Sequence, residues 1–246
     1  MKVFLSGEGP TDIGRMVPCP GGEMFVPGPM AWMVDKLLEQ RLGYSLLELH
    51  DSGGETVEFI HKTNLTAMGK PSQPGKPLLS GLKHGKGQAF HARSAQCLGL
   101  LAKASESPAV AVLFRDGDGT NSTPRQEWRE KFDSMVRGFA MAGFASGVPM
   151  VPRPKSEAWL LCGLKDQPYQ NCDQLEEAPG NDGSPRALKS RLEDMLGHEA
   201  SAEEQAAWVR DGAIDPQQIQ MPSFAAFHDA LNAAVSNALT SSRDKK

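Results

Sequence analysis

Hydrophobic positions in this chain fall into short unbroken runs separated by stretches of helical spacing. Lys2 to Ser6 is an apolar run stopped by Gly7 and Gly9, the pattern of a buried β-strand. Ala109 to Phe114 is apolar throughout and predicts a strand in the middle of a parallel sheet. Val148–Val151 predicts a further short strand, and Leu46–Leu49 and Thr56–Ile60 read as strands as well. Met30, Met33, Val34, Leu37, Leu38 and Leu42 line one face of a helix over Pro29–Leu42, with Pro29 at N1 and Gly43 at the C-cap. Helices are also expected at Gln88–Ala104, at Pro124–Ala142, and from Ser156 to Cys162 with Ser156 as N-cap. Further helices are expected at Pro185–Leu196, Ala202–Val209 and Ser223–Leu239, ahead of a frayed tail over Thr240–Lys246. Two stretches rich in Pro and Gly interrupt the pattern. Pro18 to Pro29 is expected to be an ordered loop or lid, and Lys62 to Gly87 a long functional or mobile loop.

Strands alternating with helices over the first two-thirds imply an α/β fold whose mostly parallel sheet is flanked by helices. The division expected is a core over 1–165, with the long basic loop region at about 60–105, and a helical C-terminal extension over 166–246. With 246 residues, 39% of them hydrophobic and 23% charged, the composition is that of a chain burying a real core, neither disordered nor membrane-embedded. No apolar run approaches the ~18 residues of a transmembrane helix. Glu8 follows Met1–Leu5 too early for a secretory signal, so a cytoplasmic location is expected. Cys19, Cys97, Cys162 and Cys172 are scattered without a Cys-x-x-Cys pair, which argues against a disulfide scaffold or a zinc ribbon.

The net charge of −4 argues against a uniformly basic nucleic-acid coat, but the charge is unevenly spread. Between Ile60 and Ser105 there is no Asp or Glu, while Lys62, Lys70, Lys76, Lys83, Lys86, Arg93 and Lys103 all lie there. Such a surface attracts a polyanion; alternatively, its lysines merely keep a loop solvated. His84 and His91 share that stretch and could touch phosphates, whereas the other histidines are expected at the surface or in packing. Trp159, Trp128 and Trp208 are expected to pack helices.

Three acidic clusters sit at predicted strand ends, where open α/β sheets bind ligands. Glu8 follows the first strand in Gly7-Glu8-Gly9-Pro10-Thr11-Asp12, and Asp116 and Asp118 follow the central strand in Arg115-Asp116-Gly117-Asp118-Gly119-Thr120. Glu157 follows Val148–Val151 in Lys155-Ser156-Glu157-Ala158-Trp159. Carboxylates converging from neighbouring strands stay ionised only when cations neutralise them. All-oxygen ligation favours Mg²⁺ or Mn²⁺, the ions of phosphoryl chemistry.

Glu8 with Asp12, the Asp-x-Asp pair at Asp116 and Asp118, and the late Lys155-Ser156-Glu157 element together resemble the TOPRIM domain of topoisomerases, primases and OLD-family nucleases. The third element resembles the late Ser/Glu motif of the OLD-type branch and of small stand-alone TOPRIM-like proteins, which are often encoded beside ATPases in bacterial defence loci. The likeness covers roughly residues 1–165 and is carried by the motifs, not the spacers. It implies a TOPRIM-like α/β core and metal ligation by Glu8, Asp12, Asp116, Asp118 and Glu157, with two Mg²⁺ or Mn²⁺ ions. It further implies catalysis centred on Glu8, Asp116, Asp118 and Lys155, with Lys155 near the scissile phosphate. The implied activity is hydrolysis of phosphodiester bonds in nucleic acid, in a defence setting with an ATPase partner. Lys62, Lys70, Lys76, Lys83, Lys86 and Arg93 are the candidates for guiding the nucleic-acid backbone. After Asp12 the chain departs from the family pattern, because Gly14 and the Pro/Gly stretch replace an immediate helix.

Two alternatives remain open. The run Asp116-Gly117-Asp118-Gly119-Thr120 also resembles the motif of haloacid-dehalogenase-type phosphatases, with Asp116 as nucleophile and Asp118 as acid/base. That reading leaves Glu8 and Glu157 unused, and Asp182 near Lys189 fits its later acidic site poorly. A non-catalytic TOPRIM-like binding subunit is the other alternative, docking through Met16, Met24, Phe25, Val26 and Met30. No Gly-Lys-Ser/Thr loop is present, so the chain brings no Walker-type ATP site of its own.

Overall fold

Ala109 to Phe114, apolar at every position, is buried at every position. A computed structural model describes residues 1–69, 88–117 and 125–243. In chain order the elements are β1 (Lys2–Gly7), β2 (Gly14–Cys19), β3 (Gly22–Pro27), α1 (Pro29–Leu42), α2 (Leu46–Asp51), β4 (Val57–Phe59), α3 (Lys62–Met68) and α4 (Gln88–Lys103). There follow β5 (Ala109–Phe114), α5 (Arg125–Met141), β6 (Gly147–Met150), α6 (Ser156–Leu164), α7 (Leu188–Leu196), α8 (Ala202–Arg210) and α9 (Pro222–Arg243).

Four strands form a parallel sheet in the order β4-β1-β5-β6. Side chains alternate between two helical layers, as the strand period demands. Val3, Leu5, Val110, Val112 and Phe114 join the cluster that holds Met33 and Leu37 of α1, Trp159 of α6 and Phe227 of α9. Phe4, Ala111 and Leu113 join the opposite cluster, with Leu98 of α4 and Phe132 and Phe139 of α5. Helices on both faces explain why the central strands carry apolar residues without alternation. The chain leaves β1 toward β4 and leaves β5 toward β6, so the connections diverge between the two central strands. That divergence is the switch point beside which open parallel sheets bind ligands. No helix among the described residues is long and apolar enough to cross a membrane.

Three local expectations are corrected. Residues 14–27 form an antiparallel hairpin, with Arg15 opposite Val26 and Cys19 opposite Gly22. Pro20 and Gly21 make its two-residue turn, Gly21 supplying the positive φ of 107°, and in a two-stranded ribbon each proline can point its nitrogen away from the partner. Leu46–Leu49 belongs to helix α2, not to a strand. Ser45 Oγ accepts from Glu48 N at 3.0 Å, and the buried Asp35 carboxylate takes the Leu46 and Leu47 amides at 2.8 and 3.1 Å. Side chains therefore satisfy the helix start, including one from α1 that local sequence does not reveal. Lys62–Met68, expected as loop, is helix α3, with the His61 side chain accepting from Thr63 N. The rest of the expected basic loop, 70–87, lies outside the described residues.

The C-terminal segment contributes Phe224, Phe227, Leu231 and Val235 to the same cluster as β1 and β5. Trp159 is the hinge of that packing. It is fully buried, its ring lies 4.9 Å from Phe224 and 5.6 Å from Phe227, and its Nε1 donates to Ser223 Oγ at 2.9 Å. Cys162 of α6 is disulfide-bonded to Cys172, a pairing the scattered spacing did not indicate. Trp159→Ala is expected to cost about 3–5 kcal/mol of stability. Truncating the half-buried Trp208 should cost less than half as much, both read from urea unfolding.

Candidate functional site

Glu8 and Asp116 meet because Gly7 pairs with Phe114 at the ends of adjacent strands. The Asp116 amide donates to Glu8 Oε1 at 3.2 Å. Beyond β5 the ladder continues toward β6, with Arg115 N on Met150 O at 3.0 Å and Gly117 N on Pro152 O at 2.9 Å. A Cβ at Gly117 would stand 2.6 Å from Pro152 O, so only glycine permits this approach. Asp116 is thus held from both sides.

The third cluster arrives with α6. Ser156 was expected as N-cap; instead Lys155 occupies that position and caps with no side-chain bond. Ser156 sits one residue inside, because its groups are taken up by the other two clusters. Its amide donates to Asp116 Oδ1 at 3.0 Å, and its hydroxyl donates to Asp12 Oδ1. Asp12 itself is placed by the start of α1, where Gly28 N donates to Ile13 O and Met30 N to Asp12 O at 2.9 Å. The β2–β3 hairpin is thus spliced between Asp12 and its helix without displacing the carboxylate from the strand ends. Ser156 had no sequence signal for this role beyond its place beside Glu157.

Crowding shows in the electrostatics. Burial pushes the Asp12 carboxyl up to about 6; the charges of Glu157 and Glu8 act the same way, against hydrogen bonds from Ser156 and Thr11. Burial also raises Glu157, with Asp182 adding to it and Lys155 and Lys189 opposing. Glu157 Oε2 is buried with no hydrogen-bond partner among the described residues. Burial disfavours the Lys155 ammonium, but the hydrogen bond and charge of Asp182, together with Glu157 and Asp116, outweigh it and raise its pKa. Lys155 Nζ lies 2.7 Å from Asp182, a partner recruited from outside the motifs. Lys131 Nζ donates to the Asp116 carbonyl at 2.6 Å, another contact no motif announces.

Glu8, Asp12, Asp116, Lys155 and Glu157 are therefore gathered at one end of the sheet, and Asp118 lies outside the described residues. Fixed donors join these groups, the Asp116 amide to Glu8 and Ser156 to both Asp116 and Asp12, while no three His, Cys, Asp or Glu side chains among the described residues form a group that could hold a metal ion. The donor chemistry nonetheless fits a hard divalent cation: oxygen atoms only, mutual repulsion, and one orphaned carboxylate oxygen on Glu157.

Of the basic candidates, Lys62 is exposed at the start of α3 and Arg93 lies half-buried against Gly69. Lys70, Lys76, Lys83 and Lys86 lie outside the described residues, as does His84. His91 is pulled down to about 4, first by burial and then by the charges of Lys131 and Arg115, so it is neutral at physiological pH. Arg15 turns away to Glu203 at 2.7 Å, and Lys189 to Glu199 at 2.5 Å. Comparisons of the chain with protein-family models, with curated proteins and with solved structures each gave no match.

Asp12 gives the site a pH signature. Its folded pKa of about 6 exceeds the ordinary 3.8, so the folded protein holds an extra proton between those values. Its contribution is fully present below about pH 4 and is lost as pH rises through 6. In metal-free protein, Asp12→Asn should remove a decline of about 1–3 kcal/mol between pH 4 and 6.5. Urea midpoints across that range, wild type against variant, check it; parallel curves would refute the shift.

Proposed function

We propose that the chain is a divalent-metal-dependent nuclease of the TOPRIM type, hydrolysing phosphodiester bonds in nucleic acid in the cytoplasm. The observation that carries this reading is the double grip of Ser156, whose amide and hydroxyl hold Asp116 and Asp12 while the Asp116 amide holds Glu8. Residues far apart in sequence, at three strand ends, are thereby assembled at a parallel-sheet switch point. A phosphatase using Asp116 and Asp118 leaves the link to Glu8 and Asp12 without a purpose.

Glu8, Asp12, Asp116 and Glu157, with Asp118 from the same motif, are the residues to hold Mg²⁺ or Mn²⁺. When bound, such ions supply Lewis-acid stabilisation of phosphoryl oxygens. The protein's own contribution is positional. Asp116 is fixed by Gly117 and Ser156, Glu8 by the Asp116 amide, and Lys155 keeps a positive charge beside the carboxylates through Asp182. That charge suits an ionised phosphate. Lys62, from the acid-free stretch, lines a cleft with Glu8 and would help draw a polyanion to this end of the sheet. The defence setting and an ATPase partner follow from the family likeness and the missing Walker loop, and belong to the same proposal.

Two outcomes are expected. Glu157→Gln should weaken Mn²⁺ binding at least about tenfold in isothermal titration, since a buried ligand oxygen loses its charge. The Asp116→Ala, Asp118→Ala double variant, assayed in the complete system with any co-purifying ATPase, should lose metal-dependent cleavage about a hundredfold or more. Undiminished cleavage by a folded double variant refutes the nuclease reading.

A further inference from the structure

Arg115, between the last residue of β5 and Asp116, is a buried cation at the margin of the carboxylate site. It is 1% exposed. Its Nη1 donates to Phe114 O at 2.7 Å, but Nε and Nη2 are buried without a hydrogen-bond partner among the described residues. Those two nitrogens share one edge of the guanidinium, the edge whose parallel N–H groups take an oxyanion bidentately. Glu8 Oε2 stands 3.9 Å from Nε, an ion-pair distance beyond hydrogen-bond reach.

Arg115 lines a cleft of about 360 Å³ with Glu8, Lys62, Thr63, Thr66 and Phe90. Its guanidinium carbon lies 5.9 Å from the centre of the Phe90 ring, which covers one face. Lys62 stands exposed at the same cleft, so two fixed cations face one carboxylate. The volume lies at the lower end of the range for small-ligand sites. A buried guanidinium edge with unmet donors is costly, and a tetrahedral oxyanion satisfies it with matching geometry.

We propose that Arg115 and Lys62 form a phosphate-binding subsite, taking a phosphate of the nucleic-acid strand adjacent to the one presented to Glu8 and Asp116. This rests on the nuclease reading for the identity of the ligand, but its geometry is separate from the metal ligands except at Glu8. Arg115 grips the phosphate through its Nε/Nη2 edge, Lys62 neutralises it from the rim, and Phe90 offers an apolar face to the attached nucleoside. The subsite sets the register of the strand, so that the next phosphodiester lies over the carboxylates.

The test uses the full chain in EDTA, which isolates this subsite from metal binding and cleavage. Inorganic phosphate and a 5′-phosphorylated dinucleotide serve as probes, followed by the ¹⁵Nε–H signal of Arg115 and by isothermal titration. Expected are a shift of that signal on saturation and binding weakened roughly tenfold or more in both Arg115→Lys and Lys62→Ala. Arg210→Ala, which removes an exposed cation on α8, should bind as the wild type does. Lys62 is a surface residue, so its variant keeps the test decisive even if Arg115→Lys fails to fold. No binding by the wild type overturns the subsite, as does equal weakening by Arg210→Ala, which marks diffuse charge. Undiminished binding by Lys62→Ala also overturns it. Manganese binding, measured separately, then still decides the carboxylate site.

Discussion

Everything at the carboxylate end of the sheet depends on the parallel register between β1 and β5. Six consecutive pairs, from Lys2 with Ala109 to Gly7 with Phe114, bring both strands to an end at the same level. Glu8 and Asp116 are the next carboxylates on either chain, and the Asp116 amide closes on Glu8. Because side chains alternate along a strand, a slip of β1 by one residue would turn Val3 and Leu5 from the layer of α1 and α6 into that of α4 and α5, and Phe4 the other way. The hydrophobic pattern that fixes the sheet therefore fixes the carboxylate pair. Core packing and site geometry are one constraint.

The opposing physics is charge repulsion. Asp12 and Glu157 are driven toward protonation by burial and by neighbouring carboxylates, and only fixed donors and cations hold the group together. Ser156 supplies two donors from the first turn of α6, and Lys155, Lys131 and Arg115 ring the cluster with positive charge. Helix α6 can do this because it is buttressed from behind. Trp159 packs on Phe224 and Phe227, and Arg153 pairs with Glu176 at 3.5 Å and Glu177 at 3.1 Å. Glu176 in turn takes the Ser223 amide at 2.6 Å. The C-terminal segment thus steadies the helix that steadies the carboxylates.

Much of this was legible in the pattern of residues. The strands at Lys2–Gly7 and Ala109–Phe114, and helix α1 with its Pro29 start and Gly43 stop, carry strong local signals. The strand-end placement of Glu8 and Asp116 follows from them. Elements whose ends are set by remote side chains were misread. Leu46–Leu49 resembles a strand until Asp35 caps the helix there, and Pro18–Pro29 resembles a loop until the hairpin arms pair and Phe25 stacks on Phe59 at 4.9 Å. Short segments carry little propensity, so one tertiary contact decides them.

The sequence by itself determined the α/β class, the positions of the four parallel strands and the residue types offered at their ends. Periodicity and burial are local consequences of side-chain chemistry, and they are written residue by residue. Only the tertiary structure decided which groups share a proton, a charge or a cleft. Ser156 holding both Asp12 and Asp116, Asp182 holding Lys155, and the unmet edge of Arg115 beside Lys62 all join residues that nothing in their spacing connects. Hydrogen bonds and Coulomb forces act over a few ångströms of space whatever the separation along the chain, so the chemistry of this site exists only once the sheet has closed.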